Sequence, residues 1–189
     1  MPKVKIEVSA RHAHLTQQDL EKLFGDGYQL EKEKKLSQEG EFASSAKVKL
    51  VGLKGEIDNV RVVGPCRIHT QVEVSRTDAF KLGCPAPLRL SGKIIRSGAI
   101  KLVGTKGELE LTEGLIVAKR HIHLSNDQAS QFCLNNGQIV RVFVDGPRTL
   151  TFGEVEVRVN EKFDASFHID TDEANAAGID SKMQGEIIV

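Results

Sequence analysis

Tryptophan is absent from this chain of 189 residues, tyrosine occurs once and cysteine three times. The cysteines, Cys66, Cys84 and Cys133, are an odd number without C-x-x-C spacing, which excludes a disulfide framework and makes the cytosol the natural compartment. Charge of one sign is also lacking: Lys+Arg and Asp+Glu are both 26. A nucleic-acid binder carries a basic excess, so only a local basic pocket for a small phosphorylated ligand remains open. No stretch approaches the roughly 18 apolar residues of a membrane span, which argues against a membrane partner. P-loop, Rossmann and G-x-S-x-G signatures are missing. The opening MPKVKIEVSARHAH reaches strand-like alternation at once, so no signal or transit peptide is expected. The length suits one compact unit or two small domains with a genuine core.

Histidine is what stands out. Of six histidines, four lie in two near-identical pentapeptides, RHAHL at 11–15 and RHIHL at 120–124. Val4, Ile6, Val8, Ala10, His12 and His14 share one parity, the pattern of a strand over 4–14 ending in two histidines. Residues two apart on a strand point the same way, whereas on a helix they diverge by roughly 200°. Two imidazoles aimed at one point therefore favour a strand. A helix start follows each pair: Thr16 with Asp19 three residues on, and Ser125 with Gln128, a regular capping box.

A second duplication aligns residues 72–83 with 167–178 without gaps. Ala79 falls on Ala174, Gly83 on Gly178, and Ser75…Asp78 on Asp170…Glu173 as helix-start signals. Glu73 then falls on His168, and both are good metal ligands. Elsewhere short strands are predicted at 47–53, 56–64, 99–105, 108–119, 138–146, 154–159 and 185–189, with KLVGxKGE at 49–56 and 101–108 as similar hairpins. Residues 31–41 look like a solvated loop. The fold class expected is mainly β with short helices (α+β): two small β-barrel-like domains related by internal duplication. The division is placed at 1–90 and 91–189, with the first strand able to pack with the second half.

The alignments yield two matched ligand sets: His12, His14 and Glu73; and His121, His123 and His168. Three protein ligands with one open position are the arrangement of catalytic zinc, while imidazole and carboxylate also suit Co, Mn, Fe or Ni. Arg67 follows the turn-like GPC. Its guanidinium suits an oxyanion, but six residues of straight strand place it about 20 Å from Glu73, so spacing leaves its role open. Cys66 reads better as a small apolar core residue than as a nucleophile. Alternation points Arg11 and Arg120 away from the metal face, towards packing or supporting carboxylates.

RHAHL, GPCRIHTQVEVSRTDAFKLG, AKRHIHL and HIDTDEANAAG together resemble the PduL-type phosphotransacylase family (phosphate propanoyltransferase), in the family's order and over nearly the whole chain. The resemblance implies two β-barrel-like domains with the active site and two divalent metal ions, usually zinc, between them. It implies the reversible reaction acyl-CoA + phosphate ⇌ acyl phosphate + CoA, with acetyl or propanoyl as the acyl group. By position, it makes the same six residues the metal ligands and Arg67 the catalytic, phosphate-binding arginine. It places coenzyme A contacts at Val8, Ser9, Lys54, Arg61, Phe80 and Asn175. His69 stands where the family has another basic residue and Cys66 where it has a small one, which disfavours a metal role and a catalytic thiol. No amphipathic microcompartment-targeting extension precedes the first histidine pair, so a cytoplasmic enzyme is expected. A homodimer is left open. The alternatives are a dinuclear metal-dependent hydrolase, which needs no CoA, and a metal-binding scaffold without turnover.

Overall fold

A computed structural model describes residues 1–180 and 182–189. The chain divides into two compact units, one of residues 10–118 and one of residues 1–9 together with 119–189. In chain order the first segment is β1 (Lys3–Ser9). The continuous unit follows with β2 (His12–His14), α1 (Gln17–Phe24), β3 (Lys32–Lys35), β4 (Phe42–Val51), β5 (Glu56–Gly64) and β6 (Gln71–Glu73). It continues with α2 (Arg76–Leu82), β7 (Leu88–Arg89), β8 (Gly98–Val103) and β9 (Glu108–Ala118). The discontinuous unit resumes with β10 (His121–Leu124), α3 (Asn126–Phe132), β11 (Ile139–Val144), β12 (Leu150–Val159), β13 (Ser166–Asp170), α4 (Thr171–Ala177) and β14 (Gln184–Ile188).

Each unit is a closed six-stranded barrel. In the discontinuous unit the ring runs β1-β13-β10-β12-β11-β14. In the continuous unit it runs β9-β6-β2-β5-β4-β8, with β3 added beside β4 and β7 beside β9. Strand for strand the two rings have the same directions. The β1–β13 and β10–β12 pairs are parallel, as are β9–β6 and β2–β5, and every other ring pair is antiparallel. Closure leaves no ring strand with an unpaired edge. Leu15, Leu20, Leu50, Leu82 and Leu102 fill one barrel; Ile122, Leu124, Phe167 and Ile187 fill the other.

The expected single strand over 4–14 is two strands in different barrels. Val4 and Ile6 lie in the core of the discontinuous unit, Ala13 and Leu15 in that of the continuous one, and the pairing breaks at Ala10–Arg11. β9 makes the corresponding handover into β10. The division therefore differs from a cut near residue 90: β8 and β9 complete the barrel of residues 10–118, and β1 completes that of residues 119–189. Alternation along a strand shows which face is buried, but not against which partner. The expected loop at 31–41 contains β3, an exposed Lys/Glu strand at the sheet's edge, whose Glu33 pairs with Arg61.

The two KLVGxKGE hairpins do equivalent jobs. In each, the first glycine N–H donates to the second glycine's carbonyl at 2.9 Å (Gly52 to Gly55, Gly104 to Gly107). The lysine N–H then donates to a helix-terminal carbonyl, Lys54 to Leu82 at 3.0 Å and Lys106 to Leu23 at 2.9 Å. These bonds satisfy carbonyls that a helix end leaves open. A Cβ on Gly52 would lie 2.2 Å from the Leu82 oxygen and one on Gly104 2.3 Å from that of Leu23, so backbone approach demands glycine at both.

Candidate metal centres

Four times the chain runs from a short strand into a capped helix. The N-caps Thr16, Ser75, Ser125 and Asp170 each accept from the backbone N–H three residues on, and the last three complete capping boxes with Asp78, Gln128 and Glu173. Two residues before these caps stand His14, Glu73, His123 and His168; four before them stand His12, Gln71, His121 and Ser166. Antiparallel pairing joins the short strands two by two. On β2–β6, His12 lies opposite Glu73 and His14 opposite Gln71. On β10–β13, His121 lies opposite His168 and His123 opposite Ser166. Alternation puts each four on one face.

The result is two clusters, His12/His14/Glu73 in the continuous unit and His121/His123/His168 in the discontinuous one, each with its ligand atoms within 4.8 Å of one another. The first histidine of each pair is oriented alike: Nδ1 lies 2.9 Å from the Ala10 carbonyl in His12 and 2.8 Å from the Lys119 carbonyl in His121. A carbonyl only accepts, so Nδ1 carries the proton and Nε2 keeps its lone pair. In His12 that Nε2 faces Glu73 Oε2 at 3.8 Å. His14 makes a backbone hydrogen bond to Val63, while its buried Nδ1 has no hydrogen-bond partner. Lone pairs converging with a carboxylate fit a divalent cation.

Burial holds His14 well below the ordinary imidazole range, with His12 and then Arg67 adding to the effect. Burial likewise lowers His123, with His121, His168 and Arg158 contributing. His168 is lowered to about 4, chiefly by burial. All three are neutral at pH 7, the state a metal requires.

The arginine of each pentapeptide secures the N3 acid of a capping box: Arg11 Nε donates to Asp78 at 2.8 Å, and Arg120 Nε lies 3.3 Å from Glu173. Arg67 is brought back by a turn after β5, its N–H donating to the Leu15 carbonyl at 2.8 Å. Its charge reaches His14, while its fork donates to Glu41 Oε1 at 2.8 Å and Ser91 Oγ at 3.1 Å. Cys66 donates to Gln17 at 3.5 Å, and burial pushes its thiol pKa up, opposite to an activated nucleophile. His69 is exposed and outside both clusters.

The residues expected to touch coenzyme A lie on several elements. Lys54 sits on the β4–β5 turn with its stem over Gly83, and Phe80 projects from α2 with 85% of its surface exposed. Arg61, beside His12 in the β5–β2 pairing, is engaged by Glu33 and by the Ser44 carbonyl at 2.6 Å. In the other unit Val8 and Ser9 end β1, with Ser9 paired to Asp170, the N-cap of the helix that carries Asn175.

Gln71 and Ser166 escaped the sequence reading. Ser166 Oγ donates to the Asp164 carbonyl at 3.0 Å and lies 2.9 Å from His168 Nε2; Gln71 Nε2 donates to Glu73 Oε1 at 2.6 Å. Aligning all four strands on their N-caps, rather than two by two, would have found both. Among the described residues no helix is long and apolar enough to cross a membrane.

The family model for phosphate propanoyltransferase matches residues 5–180. A phosphate propanoyltransferase of Lachnoclostridium phytofermentans is 52% identical over 177 residues, 93% of this chain and 83% of that protein. One of Priestia megaterium is 52% identical over 182 residues, 96% of this chain and 84% of that protein. One of Clostridioides difficile is 46% identical over 185 residues, 98% of this chain and 88% of that protein.

Proposed function

The chain belongs to the phosphate propanoyltransferase family and is an acyltransferase, and on that premise we propose that it moves an acetyl or propanoyl group reversibly between coenzyme A and inorganic phosphate. The observation that carries this reading is the His12/His14/Glu73 cluster with Arg67 close enough for its charge to act on His14. The proposed ligands of two divalent ions are His12, His14 and Glu73, and His121, His123 and His168. Their nitrogen and oxygen donors suit zinc. Bound there, such an ion supplies Lewis-acid stabilisation of charge developing on carbonyl and phosphate oxygens.

Arg67 presents two N–H groups in one plane, the fork that matches two phosphate oxygens. Glu41 now takes one of them, so phosphate replaces that carboxylate in the fork. A phosphate oxygen then attacks the thioester carbon, the C–S bond breaks, and coenzyme A departs as a thiolate; the reverse reaction retraces these steps. Lys54 and Arg61 pair with coenzyme A phosphates, Arg61 on release from Glu33, and Phe80 walls the pocket. Val8, Ser9 and Asn175 complete the proposed contacts. No acyl-enzyme is proposed, because the Cys66 thiol is held protonated.

The test is CoA release from acetyl-CoA and propanoyl-CoA, with and without phosphate, on zinc-loaded and chelator-treated protein. Release that requires both phosphate and metal supports the transferase. Release without phosphate would make the protein a thioester hydrolase instead.

A further inference from the structure

We propose that Gln71 is a positioning residue, fixing the Glu73 carboxylate and tying it, through Ser91, to the guanidinium of Arg67. The inference rests on the reading of Glu73 as a metal ligand and Arg67 as the phosphate-binding group, and deepens it. Gln71 is 2% exposed. Its Nε2 donates to Glu73 Oε1 at 2.6 Å and to Ser91 Oγ at 3.0 Å, and its Oε1 accepts from the Gly92 N–H at 2.7 Å. Both amide protons and the carbonyl are therefore in use. A flipped amide would turn its oxygen on the Glu73 carboxylate and leave the Gly92 N–H facing an NH2 group, so one orientation is selected.

Two consequences follow. Glu73 has one oxygen tied to Gln71, which leaves Oε2 turned towards His12 Nε2 at 3.8 Å as the coordinating atom. Ser91 Oγ accepts from Arg67 Nη1 at 3.1 Å as well as from Gln71, so Glu73, Gln71, Ser91, Arg67 and Glu41 form one continuous hydrogen-bonded chain. The carboxylate that holds the metal and the fork that holds phosphate are thereby set relative to each other.

The position in the repeat supports the assignment. Four residues before the helix caps, two of the short strands carry His12 and His121, while the other two carry Gln71 and Ser166. Each barrel thus presents three metal-binding side chains and one neutral hydrogen-bonding group at the fourth corner, adjacent to the third ligand of its own strand. A group that only filled space there would not need two donors and an acceptor, all satisfied.

The test compares Gln71→Ala and the volume-preserving Gln71→Met with wild type, measuring zinc affinity by chelator competition and KM for phosphate. The expected result is loss of roughly 10- to 100-fold in affinity at one of two metal sites, with the other unchanged. Ser91→Ala is expected to raise KM for phosphate with a smaller change in zinc affinity. A folded Gln71→Met protein that binds both ions as tightly as wild type would overturn the positioning role alone. Wild type that binds no ion through His12, His14 and Glu73 would overturn the underlying reading together with it. Collapse of the Gln71→Met fold, seen by circular dichroism, would assign Gln71 to folding and also overturn the proposal.

Discussion

At the scale of single residues, the site is built from groups kept in a chosen protonation state. His14, His123 and His168 are held neutral by burial, and the backbone carbonyls of Ala10 and Lys119 select the tautomer of the two leading histidines. This has a consequence for metal-stripped protein. Imidazoles lowered below their unfolded value of about 6.5 bind protons more weakly in the folded state. Their contribution is therefore intact above pH 6.5 and lost as pH falls towards about 4, the value for His168. Melting temperatures of the chelator-treated protein should fall steeply across that window; a flat profile would contradict the burial assigned to these rings. Arg67 makes the complementary prediction. Arg67→Ala removes a charged hydrogen-bonding fork and should raise KM for phosphate by roughly 10- to 100-fold. Arg67→Lys keeps the charge without the fork and should fall between. Six ligand candidates were legible because matched His and Glu positions recur at fixed offsets from capping signals. Arg67 was not decidable from spacing, since its approach depends on the turn that bonds its N–H to Leu15.

At the scale of elements, the four helices began where the sequence signals said they would. N-caps are local: Thr16, Ser75, Ser125 and Asp170 each bond within three residues, so no distant partner is needed to read them. Replacing Ser75 by Ala should cost about 1 kcal/mol, read as a lowered melting temperature. The Asp78 carboxylate would keep Arg11 and the backbone N–H of residue 75, while the Asp78 N–H would lose its acceptor, Ser75 Oγ. Strands were legible as segments but not as partners. The 56–64 strand was read at its observed bounds. The 4–14 strand was not, because Ala10–Arg11 separate two barrels while the apolar parity runs on through them. β3 was missed because Lys and Glu on an exposed edge look like a loop. Gly52→Ala should destabilise far more than Gly153→Ala, since the first would drive a Cβ to 2.2 Å from the Leu82 oxygen whereas the second meets nothing within 4 Å. Denaturant midpoints of the two variants test this.

At the scale of the whole molecule, two barrels of identical strand order and direction arise from a chain that hands a strand across at each RHxHL. The duplication was visible, and the sequence left open that the first strand packs with the second half, as it does. The end of the first barrel at residue 118 was not visible, because hydrophobic pattern cannot tell which ring a strand closes. Deletion of residues 1–9 would open the β1–β13 and β1–β14 pairings. Hydrogen exchange should then accelerate in β13 and β14 while β4 and β5 keep their protection. The central claim is that the two histidine clusters serve acyl transfer to phosphate. The most direct measurement follows propanoyl phosphate by phosphorus NMR, from propanoyl-CoA and phosphate, as zinc is titrated into stripped protein. The account predicts formation that rises with zinc, saturates at two ions per chain in keeping with two ligand clusters, and is abolished in His12→Ala. Full propanoyl phosphate formation by stripped protein, or by His12→Ala, would contradict it.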